Sequence, residues 1–184
     1  MRSFLYNNSD NYYETVAQLE DLSQLIERNQ SFWRHTPTVI PVRSRALSDR
    51  YGMRKDPFTK KREYHAGIDF RAKRGTPVHA PADGTVRIAD RKSGFGLLVE
   101  LQHGRGFFPG KKNSVRYRTR FAHLSKIKVR RGQKIKRGDL LGLVGSTGRS
   151  TGPHLHYEII INGRRTNPLF PISRFNPDQR LYRN

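Results

Sequence analysis

Apolar side chains recur every three or four positions near the start of the chain, a spacing that is typical of one face of an α-helix. They are Tyr12, Val16, Leu19, Leu22, Leu25 and Ile26. Asn11 and Glu14 stand where an N-cap and its N3 partner are expected, so the pattern predicts an amphipathic helix over 11–29. The apolar stripe has to cover the main domain, a second copy of the chain or a segment upstream, and an arm packed on the main domain is the simplest interpretation. Pro37 and Pro41 then mark a linker.

From about residue 43 the pattern changes to short β-rich runs separated by turns that contain glycine. The predicted strands cover 64–70, 76–80, 84–89, 96–102, 115–122, 139–144 and 154–161. The predicted turns are Asp83-Gly84, His103-Gly104, Arg131-Gly132, Arg137-Gly138 and Asn162-Gly163. The last of these turns fits a type I′ hairpin. We therefore predict a mainly β domain behind an N-terminal helix.

The positive charge of the chain lies after its first part. The 184 residues carry 36 Lys and Arg against 15 Asp and Glu, a formal charge of +21, and residues 1–36 hold 3 of the basic and 5 of the acidic side chains. Between Leu101 and Gly138 there are 13 basic residues and no acidic one. Within 115–121 three arginines alternate with mostly apolar residues, which predicts one cationic face. Such a surplus draws a protein to polyanions, so nucleic acid, anionic envelope polymers and membrane surfaces are all open as partners.

Composition also excludes several classes of protein. The chain has no cysteine, which excludes disulfides, cysteine nucleophiles and Cys-based zinc sites. Its apolar runs are a few residues long, far short of the roughly 20 that span a bilayer. The first residues lack the apolar core of roughly 7–15 residues that a secretory signal requires. We therefore expect neither a transmembrane helix nor an export signal within these 184 residues.

Two pairs of residues are candidate metal ligands. His65 and Asp69 are four positions apart and share one face of a helix or of a strand, and Gly67 between them favours a strand or loop. His154 and His156 are two apart, which puts both imidazoles on one face of a strand. A His, Asp, His set with a fourth position left to water is the composition of a catalytic zinc site. Taken alone, the first pattern occurs by chance in many chains, and the second also fits two partly exposed imidazoles.

A glycine-rich loop, 145–152, precedes the second pair. It differs from a phosphate-binding loop, because Pro153 and a strand follow its last glycine where lysine and a helix are needed. We expect this loop to shape the rim of a groove and to deliver His154.

Three motifs, in this order along the chain, resemble those of the lysostaphin-type zinc metallopeptidases, which cut peptide bonds in bacterial peptidoglycan. They are His65-x-x-x-Asp69, Phe121-Ala-His123-Leu-Ser125 and Gly145-Ser-Thr-Gly-Arg-Ser-Thr-Gly-Pro-His154-Leu-His156. The resemblance runs from about Ser48 to Pro168 and implies an antiparallel β-sheet domain with a groove. The predicted organisation is thus a helical arm, a linker, a zinc metallopeptidase domain and a C-terminal tail. Their ranges are 1–36, 37–47, 48–171 and 172–184.

The resemblance also implies roles for individual residues. It implies that His65, Asp69 and His156 bind Zn²⁺, and that His123 and His154 stay off the metal and assist catalysis. Imidazoles suit proton transfer to and from water and the leaving amine because their ordinary pKa lies near neutral pH. The division of that work between the two histidines stays open.

Four further residues have simpler interpretations. Arg54 is a candidate either for bidentate binding of a substrate carboxylate or for a structural salt bridge. His35, His79 and His103 are expected at the surface or in packing roles.

The predicted function is a zinc-dependent endopeptidase that hydrolyses cross-links or stem peptides of peptidoglycan through a metal-activated water. One alternative is an inactive relative that binds the cell wall or activates a hydrolase, although the intact five-residue set argues against it. A second is a basic nucleic-acid-binding domain, for which charge is the sole support. A carrier of lipoyl or biotinyl type comes last, because the chain lacks an acceptor lysine on a turn in the expected setting of small residues.

The expected partners are peptidoglycan, anionic envelope polymers on the basic surface and, through the helix, a second copy of the chain. No specific nucleic acid is expected. The substrate implies a location in the bacterial envelope, periplasmic or extracytoplasmic, with export or anchoring by a segment absent from this chain.

Overall fold

The structure is a computed structural model that describes residues 6–44, 46–106, 108 and 113–175. Within these ranges the helices are α1 (Tyr6–His35) and α2 (Leu169–Phe175). The strands are β1 (Ala46–Asp49), β2 (Gly52–Lys55), β3 (Arg62–His65), β4 (Ile68–Arg71), β5 (Pro77–His79), β6 (Gly84–Lys92), β7 (Gly96–Gly106), β8 (Val115–Leu124), β9 (Lys126–Ile127), β10 (Lys134–Ile135), β11 (Leu140–Leu143), β12 (His154–Ile161) and β13 (Arg164–Thr166). The mainly β domain behind an N-terminal helix is confirmed. Most of the predicted tail, 176–184, lies outside the described residues.

Three antiparallel sheets build the domain. The main sheet has the order β1-β4-β12-β8-β7-β6-β10, with β13 paired to β12. A second sheet has the order β5-β11-β9, and β2 and β3 form a separate two-stranded sheet. The core packs against one face of the main sheet, where Phe121 and Phe70 meet the ring of Tyr157 at centroid distances of 5.4 and 6.3 Å. The opposite face of the main sheet is therefore free to carry polar side chains.

Helix α1 is longer than predicted, because it begins before residue 11 and continues to His35. Its end contacts β7, where the ring of His35 lies so close to Gly104 that a Cβ there would clash. The side chains of Leu19, Leu22 and Leu25 are 61%, 52% and 50% exposed. The packing-arm interpretation is therefore wrong for this stretch, since the domain leaves the stripe uncovered. Within the described ranges no helix is both long and apolar enough to cross a membrane.

Two local predictions are corrected by the structure. The predicted strand 64–70 is broken into β3 and β4, because the chain passes at Gly67 so close to the carbonyl oxygen of Tyr157 that a Cβ would clash. The predicted turn at His103-Gly104 is wrong, because both residues lie inside β7 at a shift in register. That glycine allows the close approach of α1 instead of a reversal of the chain.

The turn at Asn162-Gly163 is confirmed. Both residues have positive φ, 48° and 85°, as the type I′ turn between β12 and β13 requires.

Candidate active site

The strand pairings bring three predicted ligands to one point on the free face of the main sheet. Asp69 of β4 and His156 of β12 are direct partners in the antiparallel ladder. His65 ends β3 and reaches the same point because the chain makes its close passage at Gly67. All three side chains are buried.

One nitrogen or oxygen atom of each residue lies close enough to the other two for all three to bind a single metal ion. His65 Nε2 is 3.0 Å from His156 Nδ1 and 3.3 Å from Asp69 Oδ1, and His156 Nδ1 is 2.9 Å from Asp69 Oδ1. Bonds of 2.0–2.2 Å with tetrahedral angles place neighbouring zinc ligands about 3.4 Å apart. Two nitrogens and one carboxylate oxygen therefore fit a zinc ion that keeps one position open to the groove.

A hydrogen bond to one nitrogen of each ring leaves the other nitrogen free to bind a metal ion. His65 Nδ1 donates to the carbonyl oxygen of Arg50 at 2.9 Å, which leaves Nε2 as the ligand atom. His156 Nε2 donates to Glu158 Oε1 at 3.3 Å, which leaves Nδ1. The sequence reasoning missed Glu158. The spacing His154-x-His156-x-Glu158 would have indicated it, because residues two apart on a strand share one face and Glu158 therefore lies beside His156.

The charges of the cluster are mutually stabilising. Burial opposes ionisation of Asp69, but hydrogen bonds from His156 and His65 outweigh it and hold the pKa of the carboxyl well below its usual range. Burial also opposes the charged form of His156, yet the hydrogen bonds and charges of Asp69 and Glu158 raise its pKa to about 9. A metal ion must therefore displace a proton from this imidazole, and metal binding is expected to release that proton.

His123 and His154 lie beside the three candidate metal ligands. Their ring centroids are 4.8 Å apart, and the ring of His123 is 5.8 Å from that of His156. The Nδ1 atoms donate to backbone carbonyl oxygens at 2.8 Å, of Thr147 for His123 and of Gly152 for His154. In both imidazoles Nε2 is therefore the atom left for the groove.

His123 has an unusual backbone conformation and a lowered pKa. Its φ of 58° lies in the left-handed region. Phe121, two residues earlier, points into the core, and regular alternation would send His123 the same way. We attribute the opposite direction of the His123 side chain to this left-handed backbone. Burial, aided by the nearby histidines, lowers its pKa to about 4. The imidazole is thus neutral at pH 7.

A groove of about 480 Å³ contains the five residues. One wall comes from the β2–β3 hairpin with Phe58 and Tyr64, and the other from the loop 145–152. Arg149 of that loop lies over the ring of Phe58 at 4.6 Å and pairs with Asp56. The glycine-rich loop therefore shapes the rim, as its sequence predicts.

Arg54 lines the groove but is occupied by protein carboxylates. Its guanidinium pairs with Asp49, with Glu63 at 2.9 Å and with Asp69 Oδ2 at 3.7 Å. Its side chain is 21% exposed. This arrangement favours the structural salt bridge over direct binding of a substrate carboxylate, and it orients Asp69, a candidate metal ligand.

The remaining histidines are outside the cluster. His103 is buried, where its Nδ1 donates to the carbonyl oxygen of Asp83 at 2.7 Å and Nε2 accepts from the hydroxyl of Thr119 at 2.8 Å. His79 is exposed and donates to the carbonyl oxygen of Gly138. His35 ends α1 and bonds to Ser31.

Comparison with known proteins agrees with this geometry. The sequence profile described as Peptidase family M23 matches residues 63–168, which include all five histidine and aspartate positions of the cluster. The chain belongs to peptidase family M23. The family assignment confirms the lysostaphin-type resemblance.

Several relatives in family M23 have names that state an activity. The chain is 39% identical over 158 residues, 85% of its length, to the peptidoglycan DD-endopeptidase ShyA of Vibrio cholerae. It is 41% identical over 131 residues, 71% of its length, to the DD-carboxypeptidase/endopeptidase Mpg of Neisseria meningitidis. These matches cover 34% and 28% of the two relatives, so the chain spans about a third or less of their length.

Solved structures that share this fold at 30% identity or more include one from Vibrio cholerae and one from Staphylococcus simulans. A zinc-containing peptidase from Vibrio cholerae superposes with a TM-score of 0.59 at 36% identity, over 72% of this chain and 38% of that one. The catalytic domain of lysostaphin from Staphylococcus simulans superposes with a TM-score of 0.55 at 30% identity, over 67% of this chain and 88% of that one.

Proposed function

We propose that the protein is a zinc endopeptidase that hydrolyses peptide cross-links of bacterial peptidoglycan, with residues 48–171 as the peptidase domain. The observation that carries the proposal is the groove in which a His, Asp, His ligand set and two further histidines converge. The names of the family M23 relatives supply the substrate class.

In this proposal His65 Nε2, Asp69 Oδ1 and His156 Nδ1 hold the zinc ion. When bound, zinc acidifies a water molecule and polarises the scissile carbonyl as a Lewis acid. Neutral His123 offers a free Nε2 that accepts a hydrogen, and His154 presents its own Nε2 beside it. Between them the two imidazoles take a proton from the attacking water and return one to the leaving amine.

We further propose that the bond cut is a DD cross-link. ShyA, a DD-endopeptidase by name, aligns with 85% of this chain at 39% identity. The lysostaphin catalytic domain covers less of the chain at lower identity. This favours a cross-link between two D-residues over a glycine bridge. The substrate lies outside the cytoplasmic membrane, so the site of action is the cell envelope.

Metal content and activity together test the proposal against an inactive wall-binding module. We expect about one zinc per chain by elemental analysis, and clearing of purified sacculi that stops with a chelator and returns with zinc. A protein that binds sacculi and carries zinc but never clears them would contradict the proposal and support the binding module.

A further inference from the structure

The face of the main sheet that carries the metal site also carries a row of arginines. In the ladder between β12 and β8, Glu158 is opposite Arg120 and Ile160 is opposite Arg118. Directly opposite residues project to the same face of a sheet, and His156 shares that face with Glu158 because they are two apart. The metal ligand and the arginines therefore stand on one surface.

Beyond the metal site this surface forms a second groove of about 520 Å³. Its lining includes Arg87 of β6, Arg105 of β7, and Arg116 and Arg118 of β8. At about 3.3 Å per residue, the position of Arg118 is about 13 Å along the sheet from His156, and that of Arg116 about 20 Å. The second groove is thus within reach of a polymer strand bound at the metal site.

The second groove has more arginines than carboxylates that pair with them. Glu100 is fully buried and pairs with Arg87 at 2.6 Å and Arg118 at 3.3 Å, as well as with Arg120. Among the described residues Arg105 and Arg116 form no ion pair. The groove therefore has a surplus of exposed guanidinium groups that matches an anionic ligand.

We propose that this arginine groove is a substrate subsite for a carboxylate-bearing stem peptide next to the cross-link that is cut. The proposal rests on the proposed function, because the cleavage site brings the polymer to this face. Guanidinium groups pair with carboxylates in a bidentate manner. The bounded volume of the groove suits a few residues of peptide, whereas a long independent polyanion needs an extended track.

Binding of the metal-free protein to purified sacculi tests the subsite without cleavage. The test variant is R105Q/R116Q, which removes the two exposed arginines of the groove that form no ion pair among the described residues, and the matched control is R130Q/R131Q, which removes the same charge at the exposed turn between β9 and β10. We expect co-sedimentation of the test variant to weaken roughly tenfold, the loss that two exposed ion pairs can supply, and the control to bind nearly as the wild type does. Equal unfolding midpoints of the two variants exclude misfolding as the cause.

Chemically treated sacculi identify the anion. Sacculi whose carboxylates are amidated are expected to bind the wild type as weakly as untreated sacculi bind the test variant. Equal losses in the two double variants would overturn the subsite in favour of general attraction. Loss of binding after phosphate polymers are stripped with hydrofluoric acid would overturn it in favour of a phosphate ligand. Unchanged binding by R105Q/R116Q overturns the subsite alone, whereas failure of the zinc-loaded wild type to cleave overturns the proposed function.

Discussion

Glu158 sets which nitrogen of His156 is free to bind a metal ion. Its carboxylate is buried and is itself held by Arg120 at 3.2 Å and Arg165 at 3.4 Å. An aspartate or glutamate that accepts the far N–H of a ligand imidazole fixes the tautomer and raises the basicity of the ligand atom. Glu158 is therefore a fourth residue of the candidate metal site, placed behind the three candidate ligands.

Substitution of this carboxylate is expected to weaken metal binding. Glu158→Gln keeps the size of the side chain but removes the charge, so zinc affinity should fall about tenfold or more. Competition with a chromophoric chelator measures it, and Glu20→Gln on α1 is the control. An affinity equal to that of the wild type would show that Glu158 plays no part in metal binding.

His123 and His154 are expected to separate catalysis from metal binding. Replacement of either by alanine leaves the three ligands in place but removes a proton carrier, so the zinc content should stay and the rate of hydrolysis should fall about a hundredfold or more. Elemental analysis and clearing of sacculi give the two readouts, with His79→Ala as the control. A single variant that retains full activity would refute the assignment for that residue.

The residues of the cluster could be found from sequence because their spacing is local or belongs to recognisable motifs. His154 and His156 share a strand face, and His65 and Asp69 lie on either side of the short connection between β3 and β4. The carbonyl oxygen of Arg50 could not be found in this way, because its contact with His65 depends on which atoms the fold brings to the back of the ring. Spacing places Glu158 on the same strand face as His156, but the hydrogen bond to Nε2 is visible only in the structure.

Among the elements, the passage between β3 and β4 controls the geometry of the site. A Cβ on Gly67 would meet the carbonyl oxygen of Tyr157 and the ring of His156. The β3–β4 passage therefore has to be made by glycine if His65 is to reach Asp69.

Gly67→Ala is expected to destabilise the fold by about 1–3 kcal/mol through forced displacement of β12. Urea unfolding measures the change. Gly152→Ala is the matched control, because a Cβ at that position meets nothing within 4 Å. Equal stability of the two variants would contradict the tight passage.

The strands that the pattern predicted correctly are those that combine alternation with clear turns, such as β12 and β8. The errors fall where glycine serves close approach: at Gly67, where it breaks a strand, and at Gly104, where it admits the end of α1. Short strands such as β9 and β10 carry too few residues to show alternation.

For the whole molecule, the burial of neutral histidine makes the fold sensitive to acid. Burial is the main reason why the pKa of His103 is lowered to about 4 in the folded protein, from about 6.5 when unfolded. Between these two pH values the unfolded chain binds more protons than the folded protein. The stability that neutral His103 contributes is therefore fully present above pH 6.5 and is lost as the pH falls towards 4. The loss from His103 reaches about 3 kcal/mol by pH 4.

His103→Gln is expected to lower stability at pH 7, because one of the two buried hydrogen bonds is lost, but to reduce the further loss on acidification. Urea unfolding of the metal-free protein at pH 7 and pH 4 measures both effects. The exposed His79→Gln should keep the steep dependence of the wild type. An equally steep dependence in His103→Gln would contradict the role of this histidine.

Part of the positive charge of the molecule is concentrated on one face of the main sheet. The positive surplus, which composition left open to any polyanion, includes a row of arginines on the sheet face that carries the candidate metal ligands. Composition could not show this, because the row is made by strands β6, β7 and β8 that meet only in the folded sheet.

The central claim, hydrolysis of a peptide cross-link, is tested most directly by mass spectrometry of the products released from purified sacculi in water labelled with heavy oxygen. We expect cross-linked peptide dimers to disappear, and one of each pair of new stem peptides to carry a single heavy oxygen in its new carboxylate. Products broken at glycosidic bonds, or dimers that persist in the presence of the zinc-loaded protein, would contradict it.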